Sequence, residues 1–298
     1  MPAVLAILPI FGLIVLGYLL GWRQWLTAEA AAGLATITFK LFLPMLLFTG
    51  IAKAPLADGL SLTLLLAYFL PVALIFSLVN LVVQRQQGRA TPLGLAAVFS
   101  NNVLVGIPIV TTLMGHDGLV HLFAILVVHS LILFSMQSFY AAFGSPERVN
   151  VVALLKSLAN PIIIGLLAGA LLNASGWSAP EPLWKMVSWL GQAALPCALI
   201  VLGASLSRFR LRPSSSVLVL TVIKLMVFPA LVWWFSGLLP HLNDGARAVL
   251  VIMAGCPSGV NILGFAKTQD DVRSVSSTVF LSTVLSALTL PVWVLLVI

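Results

Sequence analysis

The sequence predicts an all-α integral membrane protein of ten transmembrane helices, built as two inverted five-helix repeats. Three observations carry this. Of 298 residues, 61% are apolar and only 8% are Asp, Glu, Lys or Arg, against about 25% charged in a soluble domain. The apolar residues fall into runs of about 20, the length a helix needs to cross a hydrocarbon core roughly 30 Å thick. The chain also matches itself: the stretch from Pro9 to Gly17 resembles that from Pro161 to Gly169, and the same offset takes Pro44 onto Pro196. A period-two alternation, the mark of a membrane barrel, is missing, and lipid-exposed backbone must bond internally, which leaves helices.

Reading from break to break places the spans at 3–21, 31–52, 60–83, 92–113, 119–143, 151–173, 184–206, 215–238, 246–265 and 274–297. The first has no basic residue ahead of it and no small-residue cleavage site, so it reads as a membrane helix and not as a signal peptide. Span 5 ends at the turn residues 144–147, and span 8 at the loop 239–245, each rich in Gly, Pro, Ser or Asn. Between spans 7 and 8 the longer loop 207–214 shifts the repeat offset, so that Pro71 is answered late by Pro229 and Gly106 by Gly264. Repeats of 1–148 and 149–298 follow, and five spans in each force the second to enter from the opposite face, as in many secondary transporters. The breaks leave no room for a soluble domain.

Basic residues set the orientation, because Lys and Arg are retained on the cytoplasmic side. Arg23, Arg85, Arg89, Arg148, Arg208, Arg210, Arg212, Lys267 and Arg273 follow odd-numbered spans, whereas Lys53, Lys185 and Arg247 follow even ones. Both termini are therefore expected outside. The net charge of +7 is this topological signal together with contact to anionic lipid, and nucleic acid is not an expected partner. Cys197 and Cys256 lie in apolar runs without metal or disulfide spacing. No cofactor is expected.

Spans 4 and 9 are polar and Gly/Pro-interrupted at their centres. Span 4 carries Ser100, Asn101, Asn102, Gly106 and Pro108; span 9 carries Pro257, Ser258, Gly259, Asn261 and Gly264. Proline removes a donor, glycine tolerates the resulting dihedrals, and Asn or Ser side chains bond the freed groups. A broken helix offers N–H groups and partial positive charge to an anion, and its other end offers carbonyls to a cation. Kinked helices glued by polar side chains are the plainer reading; two such segments at corresponding places in two repeats favour a substrate site.

All eight acidic residues, Glu29, Asp58, Asp117, Glu147, Glu181, Asp244, Asp270 and Asp271, fall in predicted loops or at span ends. What remains inside the spans is cationic or titratable: Lys40, Lys224 and His129, with Lys156 close enough to an end to snorkel. This balance favours an anionic substrate. Lys224 either caps carbonyls at a helix break or touches substrate. His129 is either a hydrogen-bonded packing residue or the carrier of a coupling proton. His116, His121 and His241 are expected to be solvated.

Residues 43–48 (LPMLLF), 100–108 (SNNVLVGIP), 224–229 (KLMVFP) and 256–261 (CPSGVN), the last continuing through residues 265–267 to 277–279, occur in that order. Together they resemble the auxin efflux carrier family end to end. The resemblance implies crossing of interrupted helices 4 and 9, and a division into scaffold and transport parts, each drawn from both halves. It also implies a bacterial cytoplasmic-membrane carrier of a dicarboxylate such as malonate or malate. It places Asn101 at the first break and Pro257, Ser258 and Gly259 at the second, with His129, Ser130 and Phe134 on helix 5 and Thr38 on helix 2 lining the site. Ser100 stands where plant members carry a proline, and Phe134 where they carry a hydroxylated aromatic, which fits a small acid better than auxin. The expected partners are a small carboxylate, membrane lipid, a coupling proton and a second copy in a homodimer. A sodium-coupled symporter of bile-acid-carrier fold and an anion channel are the alternatives, and an enzyme is not expected, because no nucleophile–base set is grouped.

Overall fold

Pro44, Pro108 and Pro229 each stand second in an α-helical stretch that directly follows a π turn: Thr38–Phe42, Asn102–Gly106 and Ile223–Val227. Proline has no N–H to give, and its ring crowds the carbonyl four residues back, so the turn ahead of it opens. The carbonyl that Pro229 leaves unpaired, that of Leu225, accepts a hydrogen bond from Trp293 Nε1 at 2.8 Å.

The structure, a computed structural model, describes residues 2–53, 61–143, 161–177, 180–209, 214–240 and 242–298. In chain order the helices are α1 (Pro2–Trp22), α2 (Ala28–Ala52), α3 (Leu62–Gln87), α4 (Leu93–Val98), α5 (Asn102–Gly115), α6 (Asp117–Ala142) and α7 (Pro161–Ser175). They continue as α8 (Glu181–Leu206), α9 (Ser215–Leu238), α10 (Asp244–Gly255), a 3-10 turn Val260–Phe265, and α11 (Gln269–Val297). Among the described residues every regular element is helical, and the one β-bridge, Ser100 with Ser258, is isolated. Six helices, α2, α3, α6, α8, α9 and α11, are long and apolar enough to cross a membrane, and α5, α7 and Ile7–Trp22 of α1 are shorter apolar helices. The loop 144–147 with Arg148, the first part of the sixth predicted span (151–160) with Lys156, and Asp58, Arg210, Arg212 and His241 lie outside the described residues.

Polar residues cap several helices; α2, α10 and α11 begin earlier than their apolar runs predict, α9 begins where its run does, and α3 begins later. Thr27 accepts from Ala30 N, Ser61 from Leu64 N, Ser214 from Val217 N and Asn243 from Ala246 N, and each such cap is worth about 1 kcal/mol. Thr268 and Asp271 form a reciprocal capping box on α11. Glu29, Glu181, Asp244, Asp270 and Asp271 lie in first turns, where the helix dipole favours negative charge. A left-handed Gly115 (φ 62°) separates α5 from α6.

The chain divides into two compact units. Unit 1 comprises 1–60, 107–127 and 155–208, and unit 2 comprises 61–106, 128–154 and 209–298. In unit 1, α1 and α8 meet backbone to backbone: a Cβ on Gly17 would overlap the Ile200 carbonyl, and one on Gly203 the Ile14 carbonyl. Against α2, α7 presents Gly165 and Gly169 to Pro44 and Phe48. Small residues that admit such approach are the usual basis of helix packing in lipid, where burial of apolar surface gives no drive. In unit 2, α4 is buried along its length and α10 from Ala248 onward, flanked by α3, α9 and α11.

Candidate functional site

The two interrupted segments meet in unit 2. The first breaks at 99–101, between α4 and α5; the second breaks at 256–259, between α10 and the 3-10 turn. Both breaks are extended, and they pair antiparallel: Asn101 N donates to Pro257 O at 2.8 Å and Gly259 N to Phe99 O at 3.0 Å. Backbone groups that the broken helices leave without intrahelical partners thus satisfy one another, as buried backbone must. Gly259 is needed here because a Cβ would stand 2.7 Å from the Phe99 ring.

Side chains complete the pairing at each half-helix end. Ser258 Oγ donates to Ala96 O, in the last turn of α4, at 2.8 Å, while Ser258 N donates to Ser282 Oγ at 3.0 Å. Lys224, on the π turn of α9 and fully buried, donates to Ala254 O near the end of α10 at 2.6 Å and to Ser100 Oγ at 2.8 Å. Of its two expected roles, the geometry displays the carbonyl cap.

Asn101 caps α5, its Oδ1 accepting from Leu104 N at 3.4 Å. Its Nδ2 is buried with no hydrogen-bond partner among the described residues, and the same holds for both polar atoms of the Asn102 side chain. An amide donor left so costs about 1–3 kcal/mol, a deficit that a bound oxygen acceptor would offset. Gly106 and Pro108 lie beyond the break, within π turn and α5, and a Cβ on Gly106 would reach Asn102 Oδ1 at 3.4 Å and Cys256 Sγ at 3.5 Å.

An aromatic layer lies against the crossing. Phe99 stacks on Phe134, with ring centroids 5.0 Å apart and planes 9° from parallel. Phe99 also faces His129 at 4.9 Å, and Phe134 meets Phe265 at 5.1 Å. His129 is buried, and its Nε2 lies 3.4 Å from the Tyr68 hydroxyl. Which of the two donates depends on the imidazole tautomer.

The structure therefore brings together Ser100, Asn101, Asn102, His129, Phe134, Lys224, Pro257, Ser258 and Gly259. Ser130 is half-buried beside His129. Asn261 and Gly264 are exposed in or beside the 3-10 turn, and a Cβ on Gly264 would meet nothing within 4 Å. Thr38 is buried in the π turn of α2, in unit 1, and Lys40 on the same turn is exposed. Sequence reasoning passed over Tyr68, Phe99 and Ser282. Tyr68 was the findable one, a hydroxyl at the middle of an apolar span; Phe99 had no signal distinguishing it from packing.

A family model described as a membrane transport protein matches residues 2–142 and 144–294. Over 297 residues the chain is 27% identical to a Rhizobium meliloti protein named "Putative malonate transporter", covering 95% of this chain and 92% of that one. It is 25% identical over 294 residues to an "Uncharacterized transporter" of Methanothermobacter thermautotrophicus, covering 96% of each. It is also 26% identical over 249 residues to a mouse "Lysosomal cholesterol signaling protein", covering 76% of this chain and 29% of that one.

Proposed function

The chain belongs to the membrane transport protein family, that of the auxin efflux carriers, and from that premise we propose that this multi-pass membrane protein is a secondary carrier of small dicarboxylates, malonate or malate foremost. The carrying observation is the paired crossing of 99–101 with 256–259, beside which buried amide donors of Asn101 and Asn102 stand unpaired. A carboxylate accepts several hydrogen bonds at once, and the N-terminal end of α5 adds partial positive charge at the same place. Pro257, Ser258 and Gly259 form the opposite wall, with His129, Ser130 and Phe134 closing the side. The malonate named for the Rhizobium relative lends the substrate class.

The proposed architecture is ten spans in two inverted repeats, 1–148 and 149–298, with both termini outside a bacterial cytoplasmic membrane. The loop charges and the two interrupted segments support it. Unit 2, which contains the crossing, is the proposed transport part and unit 1 the scaffold, and alternating exposure of the crossing moves the anion. His129 is the proposed proton carrier, and a homodimer the proposed assembly.

Equilibrium binding of labelled malonate to the purified protein, competed by malate and by an aromatic carboxylate, tests the assignment. Saturable binding displaced by malate supports it, and failure to bind any of the three acids overturns it.

A further inference from the structure

We propose that Lys224 is a tethered cation: its ammonium, held by the Ser100 hydroxyl and the Ala254 carbonyl, fills the place at the helix crossing where a sodium-coupled carrier binds a free alkali-metal ion, so that this chain loads its anion without one. The inference rests on the carrier reading above, but its test does not need a transported acid.

The donor set is that of an ion site. Ala254 O lies at the carboxyl end of a half-helix, where the dipole is negative, and Ser100 Oγ comes from the other interrupted segment. Carbonyls at half-helix ends and hydroxyls of unwound segments are the ligands such folds offer to sodium. Here an amine takes them, at 2.6 and 2.8 Å, which uses two of its three N–H groups. The Phe228 ring lies 4.8 Å from Nζ, and α9 delivers the side chain from its π turn. Among the described residues no carboxylate pairs with Lys224, since those described stand at helix starts or in first turns. A fully buried charge without a counter-charge is costly. An anion held by the adjoining Asn101 supplies that counter-charge, which links loading of substrate to the tethered amine.

A lysine that only braces the two segments and one that stands in for an ion differ in what replaces it. Lys224→Ala opens a cavity lined by the same oxygens, whereas Lys224→Met fills it without charge. The purified parent, Lys224→Ala and Lys224→Met are melted in choline buffer and again with sodium, lithium or methylammonium, and the parent and Lys224→Ala are assayed for malonate uptake in the same media. We expect the parent to be indifferent to the added cation in both readouts. Lys224→Ala should lose uptake about tenfold or more in choline, and small cations should raise both its melting temperature and its uptake, while Lys224→Met melts alike in all four media. A parent that requires sodium overturns the proposal, as does full activity of Lys224→Ala in choline. A folded Lys224→Ala that responds to no small cation overturns it too. Should Lys224→Ala not fold, the cation dependence of the parent decides. Failure of the parent to take up malonate counts against the carrier reading, and the melting comparison still decides the role of Lys224.

Discussion

The Asn101 amide N–H donates to the Pro257 carbonyl at 2.8 Å, joining residues that belong to opposite halves of the sequence. With the return bond from Gly259 N to Phe99 O, it makes two broken helices a single backbone unit. Asn101 and Ser258 belong to that unit, and His129 rests against it through Phe99.

Asn101 has two duties, which substitution separates. Asn101→Ala removes the cap on Leu104 N, a loss of about 1 kcal/mol, and also the free Nδ2 donor. Asn101→Asp keeps the cap but sets a negative charge where the anion binds. Both variants should reach the membrane in near-parental amounts and lose malonate uptake at least about tenfold. Parental uptake kinetics in either would remove Asn101 from the site.

Gly259 has an ordinary extended backbone, φ −81°, so its requirement is contact alone. In Gly259→Ala the new methyl meets the Phe99 ring, and overpacking of that kind costs about 1–3 kcal/mol. A lower melting temperature is expected, with partial recovery in Gly259→Ala/Phe99→Ala. Additive losses in the double variant would show that the two residues do not meet.

His129 is the one described imidazole buried against the crossing, and its described polar contact is the Tyr68 hydroxyl. If it carries the coupling proton, His129→Gln should transport at a rate that no longer changes with pH, while Tyr68→Phe keeps the parental dependence at reduced rate. Measured uptake between pH 5 and 8, the range in which a histidine ordinarily titrates, decides this. A parental profile in His129→Gln would assign the residue to packing.

In unit 1 the close approach of α1 and α8 is structural and distant in sequence from the crossing residues. Gly203→Val places a branched side chain against the Ile14 carbonyl and Tyr18 N and should lower folded yield and melting temperature. Protein that does fold should bind malonate with parental affinity. Weakened binding at full stability would contradict that separation.

Much of the fold was legible because membrane helices announce themselves by length and hydropathy, whereas Thr27, Asn243 and Thr268 start their helices ahead of the apolar runs, where hydropathy carries no signal. The π turns were less so: Pro44, Pro108 and Pro229 follow them, yet Pro71 and Pro196 stand inside helices without one, so proline alone does not foretell the turn. For the site, composition marked the two interrupted segments. It did not reveal that 99–101 pairs with 256–259 strand-wise, since such pairing depends on contacts between halves of the chain. Lys224 was ambiguous for the same reason: its acceptors, Ser100 Oγ and Ala254 O, lie on other helices. Asn261, polar and adjacent to the break, looked equivalent to its neighbours until the 3-10 turn placed it on the exposed side.

The most direct test of the central claim is uptake of labelled malonate into proteoliposomes containing the parent protein or Asn101→Ala, with and without an inward proton gradient. Uptake by the parent should be saturable, stimulated by the gradient, competed by malate, and lost in the variant. Uptake that rises linearly with concentration, or that persists unchanged in Asn101→Ala, would contradict it.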